Sequence, residues 1–386
     1  MDQFAEIRPY NDSEVPAVLT RLLADNEFIA AIASLKLGSW HKTFAGLVYP
    51  LVRWLLKRQL RDVATVSGFQ LAVKKYMDVM VESTSTGFTV SGLDQLDADK
   101  PYLFMSNHRD IALDPALVNY ALYHNGHDMV RIAIGDNLLT KPWVSDLMRI
   151  NKSFIVKRSA KGPRQILAAY KMLSGYIRHS LHEDKNPIWI AQREGRAKDG
   201  KDRTEPAIIK MLAMSQDKKT ESFSDYINAL QIVPVSISYE LDPCDGSKAK
   251  ELFAHATQGS YKKSANEDNE SIAKGITGNK GNIHVAFGTP LTGNIEDADM
   301  AAAMIDEQII SNYVLHPSNF FAYKMLHGEY PQGVYSCEQR PFNSADLVAK
   351  ESAFRARIEA LPEEYRPYAL GIYANTVDSK KQYSNH

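Results

Sequence analysis

Apolar and polar positions follow two rhythms along this chain, and the changes between them mark out its elements. Compact apolar runs recur at Tyr102-Leu103-Phe104-Met105, Val130-Arg131-Ile132-Ala133-Ile134, Phe154-Ile155-Val156, Ile188-Trp189-Ile190-Ala191, Ile232-Val233-Pro234-Val235-Ser236-Ile237-Ser238-Tyr239 and His284-Val285-Ala286-Phe287. Their length and β-branched or aromatic content predict buried strands, and Gly87 to Gly92 alternates as a half-buried strand should. Between them the apolar spacing lengthens to that of a helix, as at Ala116 to Leu122 and at Ile166, Leu167, Tyr170, Leu173 and Ile177. Strand and helix in alternation predict an α/β domain with a mostly parallel sheet flanked by helices. The chain divides into three regions: an N-terminal helical region over residues 1–85, the α/β domain over 86–298, and a helical C-terminal appendage over 299–386. Asn11 to Pro16 reads as the cap and first turn of the first helix, and Ser247 to Asn282 reads as a polar insertion.

The strand at Tyr102 to Met105 hands over to a helix through Ser106-Asn107-His108-Arg109-Asp110-Ile111-Ala112-Leu113-Asp114-Pro115. Such a junction presents side chains and free backbone N–H groups from a rigid scaffold. A carboxylate on one imidazole nitrogen fixes the tautomer and leaves the other nitrogen free to take a proton. Asp114 or Asp110 can supply it. A lone histidine more often caps a helix, but three later strands also deliver polar ends: Lys157-Arg158, then Gln192-Arg193-Glu194-Gly195-Arg196, then the strand ending at Tyr239. His108-Arg109-Asp110 also begins a protein-kinase catalytic loop, yet that loop needs an Asn where this chain has Pro115, and no glycine-rich phosphate loop precedes it. A hydrolase with a serine nucleophile lacks its Gly-x-Ser-x-Gly elbow.

These ordered blocks resemble the glycerophospholipid acyltransferases, which include lysophosphatidate and glycerol-3-phosphate acyltransferases. That family shows Asn-His with a following Asp, an apolar strand ending in Arg, a Glu-Gly turn with Arg, and a Val-Pro-Val strand. Here they run from Asn107 to Ile237, with five residues between His108 and Asp114 where the family has four. The resemblance implies His108 as general base, oriented by Asp114 or else Asp110. Asn107, Lys157, Arg158, Arg193, Glu194, Gly195 and Arg196 would then form the substrate site, its guanidinium groups holding a phosphate. It further implies acyl transfer from acyl-CoA or an acyl carrier protein to 1-acyl-glycerol 3-phosphate, with no other cofactor. Glycerol 3-phosphate is the alternative acceptor, and a non-catalytic lipid-binding protein the alternative function.

Composition narrows this further. Lys plus Arg number 45 against 46 acidic residues, a balance that argues against a nucleic-acid partner. Two cysteines, Cys244 and Cys337, make neither a disulfide framework nor a zinc ribbon, which suits a reducing cytosol. Met1 to Glu6 is acidic and polar where a secretory signal is basic and then apolar, and no uncharged run reaches the ~18–20 residues that span a bilayer. The most apolar segment, Phe44 to Arg61, places Leu47, Leu51, Trp54 and Leu55 on one helical face with Arg53, Lys57, Arg58 and Arg61 nearby. Such a helix either covers the core or lies on a lipid surface, and the resemblance favours the inner face of the cell membrane. The pairs His124 and His127, and His179 and His182, lack partners at metal-ligand spacing, so no metal site is expected. The charged loop Ala197 to Thr204 is either solvated or a lid.

Overall fold

A computed structural model describes residues 2–37, 43–264, 266–334 and 344–384. Cys337 lies outside them. Seven strands form one sheet: β1 (Gly87–Ser91), β2 (Leu103–Ser106), β3 (Arg131–Gly135), β4 (Ser153–Val156), β5 (Ile188–Ala191), β6 (Ile232–Tyr239) and β7 (Asn282–Phe287), in the order β1-β7-β6-β2-β5-β3-β4. The pairs β1–β7, β2–β6 and β3–β4 are parallel, and β6–β7 is antiparallel. Parallel pairing needs crossovers, and helices supply them, which is why both strands of the central pair β2 and β6 are buried on both faces. The mostly parallel α/β fold expected from the pattern is therefore present. At Gly92, where β1 ends with φ of +82°, an added Cβ would stand 1.9 Å from the Phe287 carbonyl oxygen, so the β1 exit requires glycine.

The contacts gather the chain into two units, residues 1–79 with 130–188 and residues 80–129 with 189–386. In the first, helices α1 (Val15–Ala24), α2 (Asn26–Leu37), α3 (Ala45–Gln59) and the greater part of α4 (Val66–Thr84) share a core with α6 (Pro142–Ile150). Val18, Leu22, Ile29 and Phe69 meet Ile150 there, with Trp143 and Leu147 packed alongside. Each such buried side chain contributes roughly 1.5–3 kcal/mol. The helical N-terminus is thus not a body apart: it buries its apolar stripe on an element of the α/β sequence. The first helix starts as its sequence suggests, with Glu14 Oε2 accepting from Asn11 N at 2.7 Å and Pro16 in its first turn.

The second unit holds α5 (Leu113–His124), α8 (Pro206–Leu212), α9 (Phe223–Ala229), α10 (Asp245–Gln258), α11 (Glu267–Thr277), α12 (Ala298–Asn312), α13 (Pro317–His327), α14 (Ala345–Glu359) and α15 (Arg366–Ser384); α7 (Pro163–His182) belongs to the first. The expected polar insertion is two helices, α10 and α11, leading into β7. Its polarity concealed this because α10 turns charges inward: Asp245, Lys248 and Glu251 are buried beside Ala249 and Ala254. The C-terminal helices pack into the same core, where Ala369, Leu370 and Tyr373 of α15 meet Ala249 of α10 and Phe321 of α13.

Candidate active site

Past the end of β2 the chain is held by side chains rather than by a ladder. Asn107 is fully buried and clasps β6: its Nδ2 donates to the Ile237 carbonyl at 3.0 Å and its Oδ1 accepts from Ile237 N at 2.8 Å. Its second amide hydrogen points to Asp202 Oδ2 at 3.2 Å. With its donors spent on protein acceptors, Asn107 braces the junction and offers nothing to a ligand. Next to it, Arg109 turns inward, donating to Asp202 Oδ2 at 2.6 Å and to the Gly200 carbonyl at 3.2 Å. Burial alone would lower the Arg109 pKa, and the Asp202 charge more than offsets it.

His108 stands between these two anchors with its side chain 14% exposed. Its Nδ1 is 2.8 Å from Asp114 Oδ2, and Trp189 presents an edge to the ring with centroids 5.8 Å apart. The same Oδ2 accepts from the backbone N–H of Arg109 at 2.6 Å and of Asp110 at 2.9 Å, while Oδ1 accepts from Tyr239 OH at 2.8 Å. Three N–H and O–H donors besides the ring converge on Asp114, so the carboxylate is the acceptor and Nδ1 carries the proton. The lone pair then sits on Nε2. Burial, and then the Asp114 charge, push the Tyr239 phenol pKa well above its ordinary value, which keeps the hydroxyl a donor.

Asp110 serves the helix instead. Its Oδ1 accepts from Ala112 N and Leu113 N, both at 2.9 Å, in the turn leading into α5, as Asx turns do. Burial, then the neighbouring Asp114, raise its pKa, against the pull of those two N–H groups. Gly275 of α11 passes so close that a Cβ there would lie 2.3 Å from Asp110 Oδ2.

The Glu-Gly turn comes directly after β5 and belongs beside His108, because Ala197 N donates to the His108 carbonyl at 2.7 Å. Arg193 is half-buried, with Nε 3.9 Å from Glu205 Oε1; Glu194 and Gly195 are exposed, and Arg196 is half-buried. Gly195 takes φ of +76°. The next loop, Ala197 to Thr204, is no lid. Asp202 is tied to Arg109, Lys198 to Glu251, the Asp199 carbonyl to Asn375 Nδ2 at 2.8 Å, and Thr204 N to Asp306 Oδ1 at 2.7 Å. Lys157 and Arg158 lie in the other unit, where Lys157 pairs with Glu6 and the Arg158 backbone N–H donates to Asp136 Oδ1 at 3.0 Å.

Three contributors are not legible in the sequence. Tyr239 closes β6, and it reaches the junction because β6 runs parallel to β2, with Val235 opposite Ser106. Asp202 reads as one more charge in a polar loop. Lys248 comes from the expected insertion: its Nζ donates to the Arg109 carbonyl at 2.8 Å and pairs with Asp242. Burial raises the Asp242 pKa, but the Lys248 charge and hydrogen bond prevail and hold it below the usual carboxylate value. Among the described residues, no group of three or more His, Cys, Asp and Glu side chains is arranged to hold a metal ion. His124 stacks on Tyr120 with centroids 4.4 Å apart, and His179 Nε2 lies 3.4 Å from Asp184.

Known proteins resemble this chain over the region that holds the site. The acyltransferase family model matches residues 87–238. The dihydroxyacetone phosphate acyltransferase of Bos taurus is 26% identical over 204 residues, which is 53% of this chain and 28% of that protein. Its Homo sapiens counterpart is 24% identical over 204 residues, with the same coverage of 53% and 28%. The matched region thus spans 28% of the length of these relatives. Among solved structures, the 1-acyl-sn-glycerophosphate acyltransferase PlsC of Thermotoga maritima matches with a TM-score of 0.37 and 12% identity, covering 75% of this chain and 92% of that one, too distant a likeness to carry an argument. Residues 87–238, which hold His108, Asp114 and the Glu-Gly turn, are thus similar to the acyltransferases.

Proposed function

We propose that the protein transfers a fatty acyl group from a thioester, acyl-CoA or acyl carrier protein, to a hydroxyl of a phosphorylated three-carbon acceptor. The observation that carries this reading is the His108 Nδ1 to Asp114 Oδ2 contact of 2.8 Å on a carboxylate held at both oxygens. An alcohol is a weak nucleophile at neutral pH. With Nδ1–H committed to Asp114, His108 Nε2 takes the hydroxyl proton as the oxygen attacks the thioester carbonyl. The C–O bond forms, the C–S bond breaks, and the proton passes from the imidazole to the departing thiolate. A positioned base of this kind is worth roughly 10²–10⁴ in rate. Arg193 and Arg196 hold the acceptor phosphate, since guanidinium forks match phosphate oxygens, and Glu194 orients one of them or the acceptor.

The acceptor proposed from the sequence is 1-acyl-glycerol 3-phosphate. A second reading, dihydroxyacetone phosphate, is favoured by the names of the relatives. The substrate and product of the first carry acyl chains, and the α3 face gives a surface on which to meet them. Leu47, Leu51, Trp54 and Leu55 are 78%, 56%, 55% and 49% exposed, while Tyr49, Val52 and Leu56 pack on the core. Arg53 is not part of that face, since it donates to the Leu23 carbonyl at 2.8 Å and to Asn26 Oδ1 at 2.6 Å; Lys57 and Arg58 remain for lipid headgroups. No helix among the described residues is long and apolar enough to cross a membrane. Incubating the purified protein with labelled oleoyl-CoA and, in turn, 1-acyl-glycerol 3-phosphate, glycerol 3-phosphate and dihydroxyacetone phosphate tests the reading. Ester formation with one acceptor, lost in His108→Ala, is the expected result. Ester formation undiminished in His108→Ala, or lipid binding without any transfer, overturns it.

A further inference from the structure

Asp114 is 0% exposed, and its two oxygens are held in different ways. Oδ2 takes the His108 ring at 2.8 Å and two backbone N–H groups. Oδ1 has a single hydrogen bond, from Tyr239 OH at 2.8 Å. Tyr239 stands one residue beyond the segment that the family model covers. It is 6% exposed, at the end of a strand every residue of which is buried, and its backbone is in register with Ile283 of β7. A phenol on such a strand is a rigid donor.

We propose that Tyr239 is a positioning residue, its hydroxyl holding the Asp114 carboxylate in the orientation from which Oδ2 faces the His108 ring. The two backbone donors restrain Oδ2 alone, and a carboxylate held at one oxygen still pivots. With Tyr239 on Oδ1 the group is fixed at both ends, so the Nδ1–H tautomer and the aim of Nε2 are fixed too. The other ionisable groups near this pair are Asp110, Asp242 and Lys248. None of them donates to Asp114 Oδ1. In the plainer alternative the hydroxyl is buried in a core and merely needs an acceptor. Removing that one oxygen atom separates the two.

This inference rests on the acyl-transfer reading only for its kinetic arm. In Tyr239→Phe the ring and its packing stay, and kcat is expected to fall about 10-fold or more with KM within about twofold of wild type, as for other partners that orient a reacting group. On an Asp114→Asn background the same substitution adds less than about twofold, because the two act as one unit. Proton NMR of the intact chain gives an arm that needs no turnover. The downfield Nδ1–H resonance of His108, assigned by its loss in His108→Ala, is expected to exchange with water faster in Tyr239→Phe. With 3-fluorotyrosine at position 239, a stronger donor, the exchange slows instead, which guards against a misfolded Phe variant. An Nδ1–H signal unchanged in both, or a kcat loss equally large on the Asp114→Asn background, overturns the proposal. Failure of every acceptor to be esterified, with the NMR response intact, refutes the acyl-transfer reading and leaves the positioning role standing.

Discussion

The His108 junction and the α3 helix break the usual rules of burial in opposite directions. At the junction, polar groups leave water: Asn107, Arg109, Asp110 and Asp114 are all buried. Each has hydrogen-bond partners in the protein, with only Arg109 Nε among their buried side-chain polar atoms left unbonded, so most of the desolvation cost is offset and the geometry is stiff. On α3, apolar groups stay in water, with Leu47 78% exposed and Trp54 55% exposed, while Tyr49, Val52 and Leu56 on the opposite face of the same helix are half-buried against the core. With Tyr49, Val52 and Leu56 packed against the core, the contiguous exposed stripe beside them calls for a partner. One region is organised by bonds already made and the other by contacts not yet made. Sites that violate local consistency are where function concentrates.

Removing the ring breaks the contrast most severely. His108→Ala is expected to lower turnover by roughly 10²–10⁴ while leaving the unfolding midpoint and vesicle binding in place, read from steady-state kinetics beside thermal melts. If vesicle binding fell as well, the two regions would not be independent.

Next in size is Lys248→Met, which leaves Asp242 buried without its partner. Urea unfolding should show a loss of about 3–5 kcal/mol. The pH dependence carries the sign. In the wild type Asp242 has a folded pKa below its ordinary 3.8. Its share of stability is therefore fully present above that ordinary value and fades as pH falls through the lower folded value. In Lys248→Met only the Cys244 N–H and the Arg109 charge still oppose burial, so the folded pKa rises relative to wild type and the variant should lose less stability than wild type as pH falls from 7. A variant curve parallel to wild type from pH 7 to pH 3 would sink this account.

Arg196→Gln sharpens the site side of the contrast. A lost charge-assisted bond of about 1.5–3 kcal/mol should raise KM for the phosphorylated acceptor roughly 10- to 100-fold and leave KM for the thioester alone. An equal effect on both substrates would move Arg196 out of the phosphate site.

The smallest change in the folded protein belongs to the other face. Leu51→Glu with Trp54→Glu should keep stability within about 0.5 kcal/mol, since neither side chain is buried. Sedimentation with vesicles containing anionic phospholipid should weaken at least about tenfold, because each apolar side chain buried in lipid is worth roughly 1.5–3 kcal/mol. Unchanged sedimentation would mean that α3 meets something other than lipid.

The pattern of short apolar runs and helical spacing determined the strands, the crossovers and so the parallel α/β sheet, because those signals are local and repeat. It also put forward the candidates for chemistry, because the ordered blocks around His108, the Glu-Gly turn and the Val-Pro-Val strand stand in sequence. It left open which carboxylate serves the ring, since Asp110 and Asp114 are both near His108 in number. Only the folded chain separates them, by turning Asp110 onto the N-terminus of α5 and Asp114 onto the imidazole. Nor could it show Tyr239, Asp202 or Lys248, which reach the junction from 131, 94 and 140 positions after His108 along the numbering. Periodicity reports which face of an element is apolar. It says nothing about which buried polar atom finds another across the sheet, because that pairing depends on strand order and register, which no local pattern encodes.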